Sequence, residues 1–470
     1  MAKRLIFCFD GTWNRLSADV PTNVATVAQM VRPVARSGTH QIVYYDEGIG
    51  TNTSWVNQRW QGITGKGLMN NLREAYRFLI FNHEPGDEIY AFGFSRGAFT
   101  ARTFIGFIRH AGILDVVSAN QIDKAIEIYR NAGKVVGNTG EESGSALRFR
   151  ARHCKAICVS DEDIEFRKRI DADFDPEKAV LLNIRFLGAW DTVSALGVPQ
   201  LVPGSKWINA KYGFHDAVLT SKIKAARHAV ALDELRPTFR ATLFGRAKVD
   251  ELNARAARGR TTPFSPWEQP YQEQWFPGVH GAVGGGGAHR GLSDGALAWI
   301  LTGAKRAGLE LRADNDSKAF QIRPDSLDPV QNQAAKTIGQ RFPIGTIRRL
   351  FHSPRAGPQS LSALALATLQ RWFAPASALS EGKPYRPGAL LPIAAEIENW
   401  PYARLPELKS EHIVLQGETL SLIAERYLGA RTRYLEIFEA NRDRLDDPDH
   451  VMPGTRLRIP FDGPAVHGPA

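Results

Sequence analysis

The stretch "EIYAFGFSRGAFTARTFIGFIRHAGIL" (residues 88–114) limits the fold more than any other part of the chain. A short apolar run with strand character stops at Gly93-Phe94-Ser95-Arg96-Gly97, and a long apolar helical pattern starts at once. A buried strand passing into a buried helix through so tight a turn is the signature of a sheet covered by helices. The hydroxyl of Ser95 stands out at that junction. The sequence fits G-x-S-x-G, the nucleophile elbow, in which a sharp turn holds a serine in a strained conformation at the strand's C-terminal edge. Small residues at 93 and 97 avoid collision with the neighbouring strand and helix. The helix start also points amide N–H groups towards developing negative charge.

The same alternation recurs along the chain. Residues 5–9 read as a central strand ending in "DGTWN", followed by a helix over 23–34 and a strand from Gln41, "QIVYYDEG". In "GLMNNLREAYRFLIFNH", Leu68, Leu72, Ala75, Tyr76, Leu79 and Ile80 repeat at helical spacing. Residues 115–180 are charged and helical, as in an insertion or lid, and a strong strand returns over 181–193. "KAARHAVALDE" is expected to be helical. "EQWFPGVHGAVGGGGAHRGLSDGALAWILTGAKRAG" is expected to form a strand, a glycine loop and a helix. The expected class is therefore α/β with a mainly parallel sheet and helical insertions.

A length of 470 residues suggests two to four domains, and 43% hydrophobic with 23% charged residues is the mix of a folded globular protein. Three cysteines (Cys8, Cys154, Cys158) are too few for a disulfide framework. The pair in "HCKAIC" lacks a second cluster to complete a zinc site. The net charge of +10 is scattered, with arginines enriched at 249–263 and 344–355, and is read as a solvated surface with no nucleic-acid partner. No run approaches the ~20 apolar residues of a membrane span. The opening "MAKRLIFCFD" imitates a signal peptide, but its apolar run ends at Asp10 after five residues. Cytoplasmic synthesis is expected, with any export, including into a target cell's periplasm, by a route without a cleaved leader.

A serine nucleophile needs a base, and the base needs an orienting acid. Hydrolases of α/β type place these in the order serine, acid, histidine on loops after later strands. Asp191 follows the apolar run "IRFLGAW", and His280 follows "EQWFPGV" ahead of a glycine-rich loop. Ser95, Asp191 and His280 are therefore the expected nucleophile, acid and base. His228 and His289 compete for the base, but His228 falls in the expected helix and suits a core or supporting role; Asp294 suits a helix cap or loop support. The backbone N–H groups of Gly11 and Thr12, in "FDGT", with that of Arg96, are the expected oxyanion hole. A haloacid-dehalogenase phosphatase would need aspartate at Cys8, and "GITGKG" (residues 62–67) lacks phosphate-loop spacing and a Ser/Thr after Lys66. No metal or cofactor is required.

Residues 412–460 have a layout of their own. A short strand precedes "GET", whose Thr419 can cap a helix from Leu420. A second helix spans about 433–441, and "MPGTRLRIP" closes with a turn and strand. This β-α-α-β unit resembles a LysM module at "VLQGETLSLIAERYLG", "IFEAN" and "PGTRLRIP". The resemblance implies binding to N-acetylglucosamine glycans such as peptidoglycan. The expected division is a hydrolase domain over 1–385 with its core at 3–300, a linker over 386–411, and the module over 412–460.

The motifs "FDGTWN", "YYDEGIGT", "GITGKGLMNNLREAYRFL", "GFSRGAFTAR", "FLGAWDTVSALGVP", "HAVALDE", "WFPGVHGAVGGG" and "LSDGALAW" together resemble one family. It is the α/β-hydrolase domain of unknown function 2235, which includes type VI secretion lipase effectors of the first Tle family. The resemblance covers about residues 3–300 and implies the same three residues, an α/β-hydrolase fold, and a lipid or other ester substrate. It also brings in secretion-spike and immunity proteins as partners. One position departs from the family pattern, where an aspartate commonly follows the histidine and this chain has Ala282. The expected activity is that of a serine carboxyl-ester hydrolase of lipase or phospholipase type, with an antibacterial effector as the biological setting. The alternative is a cell-wall-binding or secretion-assembly protein on an inert hydrolase fold.

Overall fold

The computed structural model describes residues 2–11, 19–48, 65–135, 144–193, 219–261, 264, 268–312, 322–331, 354–399, 408–428, 430–441, 444–445 and 447–460. In chain order the sheet unit runs β1 (Arg4–Phe9), α1 (Asn23–Met30), β2 (Gln41–Asp46), α2 (Gly65–Asn82), β3 (Glu88–Phe94) and α3 (Arg96–Ala111). The helical stretch α4 (Ile122–Val135), α5 (Gly144–His153) and α6 (Asp161–Ile170) follows. Then come β4 (Asn183–Trp190), β5 (Ile223–Ala231), α7 (Arg246–Ala256), β6 (Tyr271–Phe276), α8 (His280–Gly284) and α9 (Gly291–Arg306). Two later helices, α10 (Leu366–Phe373) and α11 (Ala394–Glu398), precede the C-terminal unit.

The six strands lie in the order β2-β1-β3-β4-β5-β6, and every pair is parallel. A parallel sheet needs helices on both faces, so its inner strands β1, β3 and β4 are mostly apolar on both faces rather than at alternate positions, whereas the edge strand β6 carries Gln272, Glu273 and Gln274. In β1, Leu5, Phe7 and Phe9 face α2 and α3, while Ile6 and Cys8 face α1 and α9. Phe7 packs on Phe104 of α3 with ring centroids 4.6 Å apart. Each such fully buried ring contributes roughly 1.5–3 kcal/mol of transfer free energy. The chain passes from β1 to β2 on one side and then crosses back to place β3 on the other side of β1. That reversal opens a crevice at the C-terminal ends of β1 and β3, where ligands of open α/β sheets bind.

Two expectations differ from the structure. "KAARHAVALDE" forms strand β5 and its end, not a helix: Ala226, His228, Ala229, Val230 and Ala231 are all buried between β4 and β6. Alanine favours helices in isolation, but burial inside the sheet overrides that weak preference. The expected linker also begins with packed structure. Ala389, Leu390, Ile393 and Ile397 join Trp275, Leu364 and Trp372 in a third apolar cluster beside β6.

The C-terminal unit is β7 (Leu408–Ile413), α12 (Leu420–Leu428), α13 (Tyr434–Ala440) and β8 (Arg456–Pro460), with β7 and β8 antiparallel. Leu420, Ile423, Leu428, Ile437, Phe438, Leu457 and Ile459 form its own core. Thr419 Oγ1 accepts the N–H of Leu422 at 3.3 Å, a helix cap. Asn441 is fully buried and staples α13 to β8, donating to the carbonyls of Ile437 and Arg458 and accepting the Arg458 N–H, each at 2.7 Å.

Candidate active site

Ser95 sits between β3 and α3 with φ 60° and ψ −123°. Among the described residues, Ser95 and Asp191 are the only non-glycine residues with positive φ, the latter at 38°. Such backbones cost on the order of 1–3 kcal/mol each and persist where the surroundings enforce them. Here the sheet does so. The Ser95 N–H donates to the Trp190 carbonyl at 3.0 Å, and the Val193 N–H donates to the Ser95 carbonyl at 3.3 Å. The two glycines of the turn are needed for close approach: a Cβ on Gly93 would lie 2.5 Å from the Gly97 carbonyl oxygen, and one on Gly97 would overlap the Phe9 carbonyl.

The structure brings Ser95, His280 and Asp191 together. The Ser95 hydroxyl lies 2.7 Å from His280 Nε2, and His280 Nδ1 lies 2.5 Å from Asp191 Oδ2. The carboxylate sets the tautomer: Nδ1 carries the proton towards Asp191, which leaves Nε2 to accept from Ser95. All three side chains are buried, and the imidazole lies between the rings of Phe94 and Phe239, at centroid distances of 4.6 and 4.8 Å. The neighbouring turn after β5 holds the histidine loop in place. Asp233 accepts the Gly278 N–H at 2.6 Å, and Glu234 accepts the His280 N–H at 3.3 Å.

Asp191 is fully buried, yet all its acceptor capacity is used. Oδ1 accepts from the Ala231 N–H at 2.9 Å and from Arg355 Nη1 at 2.6 Å, and Oδ2 accepts from Arg355 Nη2 at 3.0 Å as well as from His280. Burial alone would raise the Asp191 carboxyl, but the Arg355 charge and the His280 bond outweigh it and hold it well below the usual carboxylate range.

The first-strand turn differs in part from expectation. The Gly11 N–H donates to the carboxylate of Asp10 at 2.6 Å, and that carboxylate also accepts from Thr22 at 2.5 Å and Tyr45 at 2.8 Å. Gly11 is thus engaged by its neighbour here, and Thr12 lies outside the described residues. Arg96 opens α3 directly after Ser95. Asp294 supports a loop away from the serine, accepting from the Arg323 N–H at 2.8 Å and from Arg290 at 3.1 Å. Ala282 is buried in α8, beside Gly278.

Residues 3–303, more than half of the chain, match the family model described as the catalytic domain of Tle1-like type VI secretion phospholipase effectors. The chain belongs to this Tle1-like family. It therefore carries a hydrolase-type catalytic domain, and residues 412–460 match the LysM domain model. Among curated proteins, it is 27% identical over 257 residues to the uncharacterized protein YEL023C of Saccharomyces cerevisiae, an alignment covering 52% of this chain and 33% of that one. Over 49 residues it is 45% identical to the potassium binding protein Kbp of Escherichia coli, covering 10% of this chain and 33% of that one. The chain thus spans a third of the length of each curated relative. Two solved structures are similar. An uncharacterized protein from Pseudomonas aeruginosa has a TM-score of 0.37 at 19% identity, over 69% of this chain and 49% of that one. The Tle1 effector bound to the VgrG spike has a TM-score of 0.35 at 15% identity, over 70% and 77%.

Sequence reasoning missed three groups in this Tle1-like site. Glu273 lies on β6, within a run expected only to form a strand, and reaches His228 Nδ1 at 2.8 Å. Glu234 was visible in "HAVALDE" only as a motif letter. Arg355 lies beyond the matched family region, at the end of the arginine-rich stretch 344–355 that was expected to be solvated surface; it is instead buried, 6% exposed, against Asp191.

Proposed function

We propose that the protein is a serine carboxyl-ester hydrolase acting on phospholipid or a similar lipid ester, tethered near its target by the LysM module. The observation that carries this reading is the continuous hydrogen-bonded line from the Ser95 hydroxyl through His280 to Asp191, at 2.7 and 2.5 Å. Ser95 Oγ attacks the ester carbonyl while its proton passes to His280 Nε2. The tetrahedral oxyanion is stabilised by the Arg96 amide at the start of α3. Collapse expels the alcohol, which takes the proton from His280, and leaves an acyl group on Ser95. Water then repeats the steps in reverse order to release the acid. Asp191 holds the imidazole tautomer and compensates its charge throughout.

Family membership supports lipid as the substrate class and a secreted antibacterial effector as the setting. In that setting the chain is made in the cytoplasm and carried to a neighbour's periplasm by a secretion spike, and the producing cell holds an immunity protein. The LysM module would grip N-acetylglucosamine glycan, keeping the enzyme between the cell wall and the membrane. The test is release of fatty acid from phosphatidylethanolamine–phosphatidylglycerol vesicles by wild type and by Ser95→Ala. Release by the wild type alone is expected. Equal release by both, or none by either, rejects the reading.

A further inference from the structure

Arg355 lies outside the catalytic region matched by the family model, yet its guanidinium occupies the centre of the site. Its side chain is 6% exposed, and both terminal nitrogens are committed. Nη1 donates to Asp191 Oδ1 and to the Ala231 carbonyl at 2.6 and 2.8 Å; Nη2 donates to Asp191 Oδ2 at 3.0 Å and to the Phe239 carbonyl. A planar fork gripping both oxygens of one carboxylate fixes its position and its rotation together. Asp191 needs such a hold, because its backbone sits at φ 38° and its side chain must aim one oxygen at His280.

The strap that delivers the arginine is itself anchored. Gly357 packs so tightly on the Ala389 carbonyl that a Cβ would overlap it. The Leu361 N–H donates to Glu396 at 3.0 Å, and the Ala365 N–H donates to the Trp275 carbonyl at 3.0 Å. The cluster beside β6 thereby sets the place of Arg355 relative to the triad.

We infer that Arg355 is a positioning residue for ester hydrolysis, clamping Asp191 in the orientation that directs His280 at Ser95. This rests on the proposed hydrolase chemistry. The clamp acts on turnover and not on substrate binding, because a carboxylate fixed in place and rotation keeps His280 aimed at Ser95.

The experiment uses the full chain as wild type, Arg355→Lys, Arg355→Gln and Arg355→Met, with p-nitrophenyl butyrate as substrate between pH 5 and 9. Each protein is first checked for folding by circular dichroism and for a competent site by fluorophosphonate labelling. Arg355→Met should lose about 10- to 100-fold in kcat with KM changed less than about threefold. Arg355→Gln should show the same loss in kcat with KM little changed, and it carries the test if the methionine variant does not fold. Arg355→Lys, which keeps a charged donor without the fork, should recover only part of the lost kcat. A wild-type kcat in a folded Arg355→Met or Arg355→Gln, or a loss carried by KM rather than kcat, overturns the clamp. A wild type that neither labels nor hydrolyses instead overturns the hydrolase reading, and the clamp falls with it.

Discussion

Two buried histidines in the sheet unit each lean on a carboxylate, yet only one faces a nucleophile. His280 bonds Asp191 through Nδ1 and the Ser95 hydroxyl through Nε2. His228 bonds Glu273 through Nδ1 at 2.8 Å, and its Nε2 accepts the Thr192 N–H at 3.1 Å. The acid–histidine pair is therefore not what marks the reactive site. What differs is position along the strand. His228 lies within β5, where the second nitrogen can meet only backbone, whereas His280 lies beyond β6, in the crevice that the strand ends open. The inner pair also serves the outer one. The amide that His228 holds follows Asp191 directly, so it braces the strained turn presenting the acid. Burial alone would raise the Glu273 carboxyl, but His228 and the amides of Phe244 and Gly245 hold it below the usual range.

The comparison breaks most visibly at the outer pair. Ser95→Ala or His280→Ala should cost on the order of 10⁴–10⁶ in kcat with little loss of stability, read from ester turnover and thermal melting. Asp191→Asn should cost roughly 10³–10⁴ by spoiling the imidazole tautomer. That variant also tests the acid's charge. A carboxyl held low in the folded state contributes stability that is present above its unfolded value and lost as pH falls through its folded one. The stability gap between wild type and Asp191→Asn should therefore be full at pH 7 and should shrink below about pH 4, as measured by urea unfolding.

The inner pair should behave in the opposite way. His228→Ala strands a buried amide and a buried carboxylate, each costing about 1–3 kcal/mol, so melting should fall by several degrees. Turnover should drop only about tenfold, through the displaced Asp191 turn. A loss of activity as deep as that of His280→Ala, with unchanged melting, would merge the two histidines and defeat the contrast.

A third pair, His412 with Glu418 at 2.6 Å, lies in the C-terminal module, and removing all of it gives the smallest expected effect on catalysis. Truncation before residue 408 should leave p-nitrophenyl butyrate turnover within about twofold of wild type, since Ser95, Asp191 and His280 all precede it. Pelleting with purified peptidoglycan, at moderate salt to screen the net charge of +10, should be lost. Equal pelleting of both forms would remove the module from the targeting account.

Much of this arrangement was legible in the sequence because it is local. The elbow needs glycines beside the serine, the capping threonine precedes its helix, and β1, β3 and β4 read as unbroken apolar runs. What stayed hidden depends on distance. "KAARHAVALDE" has a helix-favouring composition, and only its neighbours in the sheet make it a strand. Glu273 pairs with His228 across adjacent strands, where registry rather than spacing decides contact. Arg355 reaches Asp191 from 164 positions away, through a strap whose course no local pattern encodes.

The central claim is that Ser95 is the nucleophile made reactive by His280. The most direct measurement treats the full-length protein with a fluorophosphonate and maps the adduct by mass spectrometry, alongside Ser95→Ala and His280→Ala. The account predicts one adduct on the peptide carrying Gly93-Phe94-Ser95-Arg96-Gly97, absent from Ser95→Ala and slowed at least about a thousandfold in His280→Ala. An adduct on another residue, or undiminished labelling of Ser95→Ala, would contradict it.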